Sequence, residues 1–250
     1  MKFLIKASIS LSLTVALPVW AERIIVATTQ NNPPYSFVTN GKPDGFNIAL
    51  IRLLCADLKS ECDLKLVDPI QIQNLVSKNQ AAFGVASIRK NEVQPQNLPT
   101  EVYGNVKGGF VTAGKTVYPA FLSYDFLAGK RVGYVSNSAF EKLVKKNFPS
   151  ATSWGYLNSG VMFNALKDQL IDLAIDDLGV INDEVSRRNG SFTVVGSPIV
   201  ERRVLGDGYV IVLNKQNEKM RQQLNQVIKT RIADGSINQI SLNYLGFKLF

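Results

Sequence analysis

The chain has 250 residues, 46% of them hydrophobic, with 28 Lys and Arg against 20 Asp and Glu, for a net charge of +8. That length and apolar content suit one or two ordinary domains with real cores. There is no histidine, which removes Ser-His and Cys-His catalysis and the commonest metal ligand. No carboxylate spacing resembles a calcium loop, so neither a metal nor a cofactor is expected.

Met1–Ala21 reads as a signal peptide. Lys2 and Lys6 precede an apolar stretch, and Val19-Trp20-Ala21 fits a small-x-small cleavage site before Glu22. The apolar part is too short for a membrane span, so an exported, soluble mature chain is expected. Losing two lysines lowers its charge to +6. The remaining basic residues are scattered, meeting in short pairs such as Arg187-Arg188, so no nucleic-acid partner is expected. Cys55 and Cys62 in an oxidising compartment make a disulfide the default; two buried free thiols are the alternative.

From residue 24 the chain alternates strand-like and helix-like segments. Ile24–Thr28 predicts a strand. The stretch Asn31–Asn47, NNPPYSFVTNGKPDGFN, predicts an exposed loop: the Pro33-Pro34 pair forces a non-helical path, Asn40-Gly41 signals a hairpin turn, and Gly45 opens a helix over Asn47–Leu58. Asp63–Val67, Ala82–Ala86 and Gly109–Thr112 predict strands, with a helix at Gln71–Lys78. Arg131–Val135, Thr152–Tyr156, Asp172–Ile175, Phe192–Val195 and Tyr209–Leu213 are further strands. Ser138–Asn147, Ser159–Asp168, Leu178–Arg188, Glu218–Ala233 and Ile237–Leu245 are helices. The alternation predicts an α/β architecture with mainly parallel sheets. Breaks near Asn105–Gly109 and Val200–Gly208 separate two blocks, and the last helices need the first block's sheet to cover. The expected organisation is 22–108 in one lobe, 109–202 in a second, and 203–250 back in the first.

These segments, in order, carry PPYSF, GFNIALIRLLCADL, VGYVSNSAFEKL, DLAIDDLGV, GDGYVIV and RIADGSINQISLNYLG. The ordered set resembles the periplasmic solute-binding proteins of the polar amino-acid transport type (bacterial extracellular solute-binding proteins, family 3). The resemblance covers nearly all of the mature chain. It implies a two-lobe type II periplasmic-binding fold, with two hinge strands and a ligand cleft. The implied partners are a small ligand, an amino acid or related zwitterion, and an inner-membrane ABC permease. A periplasmic monomer is expected by analogy. The spacing in CADLKSEC is similar to a disulfide of the family's basic amino-acid binders.

The resemblance also implies ligand positions. Asn32 and Tyr35 lie where the family places an aromatic wall; Asn32 is not aromatic, and Tyr35 can equally be a core residue. Asn137, Ser138 and Ala139 open a helix where the family receives the ligand carboxylate on backbone N–H groups; an ordinary capped helix, with Ser138 and Glu141 as a capping box, is the alternative. Asp177 lies where the family holds the ligand ammonium, with a plain N-cap as its other reading and Asp176 as the other acid. Ala86 and Ser87 occupy the Ser/Thr run that precedes the family's carboxylate-clamping arginine. The clamp's own position holds Glu92 or Val93, so Arg89, about one turn early, is the candidate, against a surface arginine. The Leu98–Tyr103 segment and the Ala81 position also depart from the pattern. The expected role is transport binding without catalysis. A cyclohexadienyl or arogenate dehydratase-like enzyme, with Asp177 or Glu201 as its acid, and a ligand sensor without a permease are the alternatives.

Overall fold

A computed structural model describes residues 23–115, 118–119, 122 and 124–250. The signal-peptide reading of 1–21 lies outside the described residues. The chain opens with β1 (Arg23–Thr29), a hairpin of β2 (Phe37–Thr39) and β3 (Lys42–Asp44), α1 (Phe46–Asp57), β4 (Glu61–Val67), α2 (Pro69–Ser77), β5 (Phe83–Arg89) and β6 (Asn97–Pro99). There follow β7 (Gly108–Ala113), α3 (Tyr124–Leu127), β8 (Arg131–Val135), α4 (Ala139–Asn147), β9 (Thr152–Tyr156), α5 (Ser159–Lys167), β10 (Leu173–Asp177) and α6 (Leu178–Arg187). The chain closes with β11 (Phe192–Ile199), α7 (Arg202–Leu205), β12 (Tyr209–Asn214), α8 (Glu218–Ala233) and α9 (Ser236–Leu245).

Two five-stranded sheets organise these elements, in the orders β4-β1-β5-β12-β6 and β11-β7-β10-β8-β9. The expectation of mainly parallel sheets needs correction. In each sheet two neighbouring pairs are parallel and two antiparallel. The antiparallel pairs arise where the chain arrives from the other sheet: β7 inserts beside β10, and β12 beside β5. The first crossing segment also pairs with the start of β12. Tyr103 N donates to Tyr209 O at 2.9 Å, and Tyr209 N to Gly104 O at 2.8 Å. The chain thus crosses twice between the two sheets, once between β6 and β7 and once between β11 and β12. The short strands β2, β3 and β6 and the single-turn helices α3 and α7 were not expected from periodicity, which a three- or four-residue element is too short to express.

Apolar spacing explains the longer elements. In α1, Phe46, Leu50 and Leu54 recur every fourth residue, with Ile51 and Cys55 beside them, and all are buried. In α4, Phe140, Leu143 and Val144 form the buried stripe. All six residues of β12 are buried, as befits a central strand covered on both faces. At the N-terminus of α2, Asp68 stands at the cap and Pro69 in the first turn, where a missing N–H costs nothing. Cys55 of α1 and Cys62 of β4 are joined as a disulfide, with Cα atoms 6.1 Å apart. Among the described residues no helix is long and apolar enough to cross a membrane.

Candidate functional site

The C-terminal ends of β1, β5, β8 and β10 point into one cleft between the sheets, with a cavity of about 230 Å³. Ligands of open α/β sheets bind at such strand ends. From the first sheet's side come Asn32, Tyr35, Ala86, Ser87 and Arg89, with Tyr209 of β12 and Val106 of the crossing. The second sheet's side supplies Val135, Ser138, Phe140, Ser159, Asp176, Asp177 and Val180.

Local chemistry places each of these. Gly45, at φ +113°, lets the start of α1 press against the preceding loop: a Cβ there would lie 2.6 Å from the Tyr35 carbonyl oxygen. Phe46 N and Asn47 N donate to the Pro34 and Tyr35 carbonyls at 3.1 and 2.7 Å. The orphan donors of the helix thereby hold the loop that carries Tyr35. Asn47, fully buried, links Ser36 (3.2 Å) to Ser87, whose hydroxyl donates to Asn47 Oδ1 at 3.0 Å. Ser87 lies in the left-handed region at φ +52°, within an irregular stretch of β5. There Ile88 faces Val210 and Gly84 faces Val212, so β5 carries extra residues. Such a bulge re-aims side chains toward a site.

The charged groups are few. Arg89 ends β5 opposite Tyr209 in the ladder, and its Nε lies 3.2 Å from Glu92 Oε1. Asp177 caps α6, its Oδ1 accepting from Gly179 N (2.8 Å) and Val180 N (3.4 Å). It also accepts from two tyrosines of the first sheet's side. The Tyr35 hydroxyl donates to Oδ1 at 2.5 Å and that of Tyr209 to Oδ2 at 2.6 Å. Burial raises the Asp177 carboxyl above the usual range, against the pull of those hydrogen bonds. Burial and then the Asp177 charge hold the Tyr35 and Tyr209 hydroxyls well above the normal tyrosine value. Asp176 accepts from Ser159 Oγ (2.5 Å) and Asp177 N (2.8 Å). Burial pushes its carboxyl up to about 6, opposed by those two bonds and by the nearby Arg89 charge.

Seven of the nine sequence-derived candidates thus meet at this cleft: Asn32, Tyr35, Ala86, Ser87, Arg89, Ser138 and Asp177. Asn137 and Ala139 do not line it. Asn137 N donates to Glu141 Oε2 at 2.6 Å, and Glu141 N to Ser138 Oγ at 3.2 Å. The helix start is therefore largely occupied by its own capping residues. The capping box is shifted, since the Glu141 carboxylate takes the amide of Asn137 rather than that of Ser138. Glu201 caps α7 by accepting from Arg203 N at 3.1 Å and does not line the cleft. Tyr209, Ser159, Val106, Val135, Phe140 and Val180 had not been singled out. Tyr209 lies in the GDGYVIV segment, but no local pattern says that its hydroxyl reaches a carboxylate 32 residues away.

Residues 24–247 match the model of the bacterial extracellular solute-binding proteins, family 3. The chain belongs to this family. Among its relatives, ABC transporter arginine-binding protein 1 of Escherichia coli (strain K12) is 25% identical over 244 residues, covering 96% of this chain and 98% of that one. The histidine-binding periplasmic protein of Salmonella typhimurium (strain LT2) is 24% identical over 260 residues, covering 98% of each. The fold matches substrate-binding domain 2 of Lactococcus lactis GlnP in its open conformation, with a TM-score of 0.75 at 16% identity over 92% of this chain and 98% of that one. It also matches an ancestral arginine-binding protein bound to arginine, with a TM-score of 0.67 at 23% identity over 90% and 98%. The fold is therefore that of a two-lobe family 3 solute-binding protein.

Proposed function

We propose that this family 3 protein is a periplasmic receptor that binds a small amino-acid-like zwitterion between its lobes and delivers it to an inner-membrane ABC permease. One observation supports this reading: a cavity of about 230 Å³ between the sheets is lined by Arg89 from the first sheet's side and by Asp176 and Asp177 from the second's. Such opposed poles suit a ligand bearing both an anion and a cation. The names of the relatives, which are arginine- and histidine-binding proteins, support the same ligand class.

In this reading Arg89 receives the carboxylate, an aspartate at the end of β10 receives the ammonium group, and Ser87, Ser138 and Tyr35 complete the wall. Asn32 leaves it without the aromatic face expected there. The lobes run over 22–108 with 203–250, and over 109–202, and the paired segments at Tyr103–Gly104 and Tyr209 are the hinge on which they move. The role is binding rather than catalysis, so incubation with prephenate or arogenate should leave either compound unchanged.

Native mass spectrometry of the exported protein tests the receptor reading, the expected result being a retained ligand of amino-acid mass. Calorimetry with arginine, lysine, histidine and glutamine then ranks the ligand class. Heat from none of them, with no retained ligand, would overturn the amino-acid reading.

A further inference from the structure

We propose that Asn47, which does not itself line the cleft, is the positioning residue of the wall on the first sheet's side: by holding Ser87 in a left-handed conformation it turns Ala86, Ser87 and Arg89 into the cleft together. That a ligand uses this wall rests on the receptor reading above; the hold on Ser87 stands without it.

The wall needs such a device. Side chains of a regular strand alternate between its two faces, so Ala86 could not share a cavity with Ser87 and Arg89. All three nevertheless line it. The turn that allows this lies at Ser87, whose φ of +52° is costly for a residue with a Cβ and persists only where the surroundings enforce it. The ladder with β12 does not enforce it. Its register leaves Val85, Ala86 and Ser87 opposite the single residue Ile211. Ile211 spends both backbone groups on Thr100, its N–H donating to the hydroxyl at 3.0 Å and its carbonyl accepting from the amide at 2.9 Å. The buried hydroxyl of Tyr103 stands beside Ser87 without a hydrogen bond of normal geometry.

Asn47 does enforce it. The residue is fully buried at the start of α1, and its amide donates to the Tyr35 carbonyl at 2.7 Å. Its carboxamide spans the gap between the loop after β1 and the end of β5. Nδ2 donates to Ser36 Oγ at 3.2 Å, and Oδ1 accepts from Ser87 Oγ at 3.0 Å. Ser36 Oγ is in turn 3.2 Å from Thr28 Oγ1, and both residues are fully buried. A buried carboxamide bonded at both ends cannot follow a moving partner. It therefore fixes the Ser87 side chain and, through it, the backbone angle. Relaxing that angle would leave a buried acceptor without its donor, and this penalty resists the change.

Calorimetry with L-arginine and L-glutamine tests the role through a double-mutant cycle. We expect Asn47→Ala to weaken binding of whichever of the two the wild type takes by roughly tenfold. Glycine adopts a positive φ without strain, so in the Ser87→Gly background the same change should move affinity by less than about twofold. A purely structural loss appears equally in both backgrounds, and that result overturns the assignment. Asn47→Asp keeps an acceptor for the Ser87 hydroxyl and should recover most of the affinity; no recovery counts against the proposal. If Asn47→Ala does not fold, Ser36→Ala, which frees the far end of the carboxamide, should weaken binding by itself and not beside Ser87→Gly. Equal effects in the two backgrounds, or none in either, overturn the proposal. Backbone chemical shifts of Ser87 in the unliganded protein test the hold whatever the ligand is. They should report a left-handed residue in the wild type and its loss in whichever of the two variants folds, and a left-handed Ser87 in that variant removes the hold. If the wild type binds neither amino acid, the receptor reading for those two fails by itself, and the shifts still decide the role of Asn47.

Discussion

The hydroxyl of Tyr35 donates to the carboxylate of Asp177 across the cleft at 2.5 Å, joining residues 142 positions apart. Through it, the loop after β1 and the first turn of α6 share one hydrogen-bonded centre. Removing that carboxylate should therefore be felt in both lobes. Asp177→Ala takes away the cap of α6, worth about 1 kcal/mol, and leaves the buried hydroxyls of Tyr35 and Tyr209, 3.4 Å apart, only each other to bond, so that one proton loses its acceptor at roughly 1 to 3 kcal/mol. We expect a loss of about 2 to 4 kcal/mol in urea unfolding. Asp177→Asn keeps an acceptor oxygen and should lose less than half of that.

The acid beside it gives the protein a pH signature. The Asp176 carboxyl stands at about 6 when folded against 3.8 as its ordinary value. Between those values the folded chain holds more protons than the unfolded one, so this group's contribution to stability falls as pH rises through the interval. The neighbouring Asp177 charge acts in the same direction, and Arg89 and the Ser159 hydroxyl act against it. Above pH 6 the burial cost is fully present, on the order of 3 kcal/mol. Asp176→Asn should raise the melting temperature of the unliganded protein at pH 7.5, with the gain vanishing near pH 4. A gain equal at both pH values would contradict this account.

Arg89 separates binding from stability. Its guanidinium is paired with Glu92, whose side chain is about half exposed, and such pairs contribute under about 1 kcal/mol. Arg89→Ala should therefore change the melting temperature little. Loss of a bidentate carboxylate contact should weaken ligand binding by roughly ten- to a hundredfold. Arg89→Lys should recover little of it, because a single ammonium cannot reproduce the planar fork. Calorimetry on the three proteins reads the effect.

Gly45 positions Tyr35 without touching a ligand. At φ +113°, with carbonyl oxygens of Tyr35 and Pro34 at 2.6 and 2.8 Å from a built Cβ, Gly45→Ala must push the loop away from α1. A cost of roughly 2 to 4 kcal/mol is expected from the backbone strain and the contact together. Urea titration measures the cost. Tyrosine fluorescence should report that the environment of Tyr35 has changed.

The disulfide should matter for stability and not for the site. It ties α1 to β4 at the end of the sheet where Arg23 pairs with Glu61, while the cleft lies at the opposite strand ends. Closing so short a loop stabilises by about 2 kcal/mol on the chain-entropy account. Cys55→Ser with Cys62→Ser should lower stability by about that amount, and ligand affinity should stay within a factor of two.

Much of the fold is local in origin and was therefore legible in the sequence. The alternation of short apolar strands with helices at a period near four, the turn at Asn40-Gly41, the glycine that opens α1 and the ordered family segments all operate over a few residues. They were enough for the α/β class, the family and the neighbourhood of the cleft. The antiparallel half of each sheet was not legible, because it depends on where β7 and β12 insert after long crossings. The site was divided in the same way. Tyr35, Ser87, Arg89 and Asp177 carry segment-level signals, while Tyr209 and Ser159 acquire their partners only when distant strands come into register. The pair Asp176-Asp177 shows the limit most clearly. In sequence the two residues follow the predicted strand Asp172–Ile175 side by side, and only the family resemblance favours Asp177 over Asp176 as the one that faces a ligand. Tertiary structure separates them: both line the cleft, but only Asp177 meets the hydroxyls of Tyr35 and Tyr209, which distant strands bring to it.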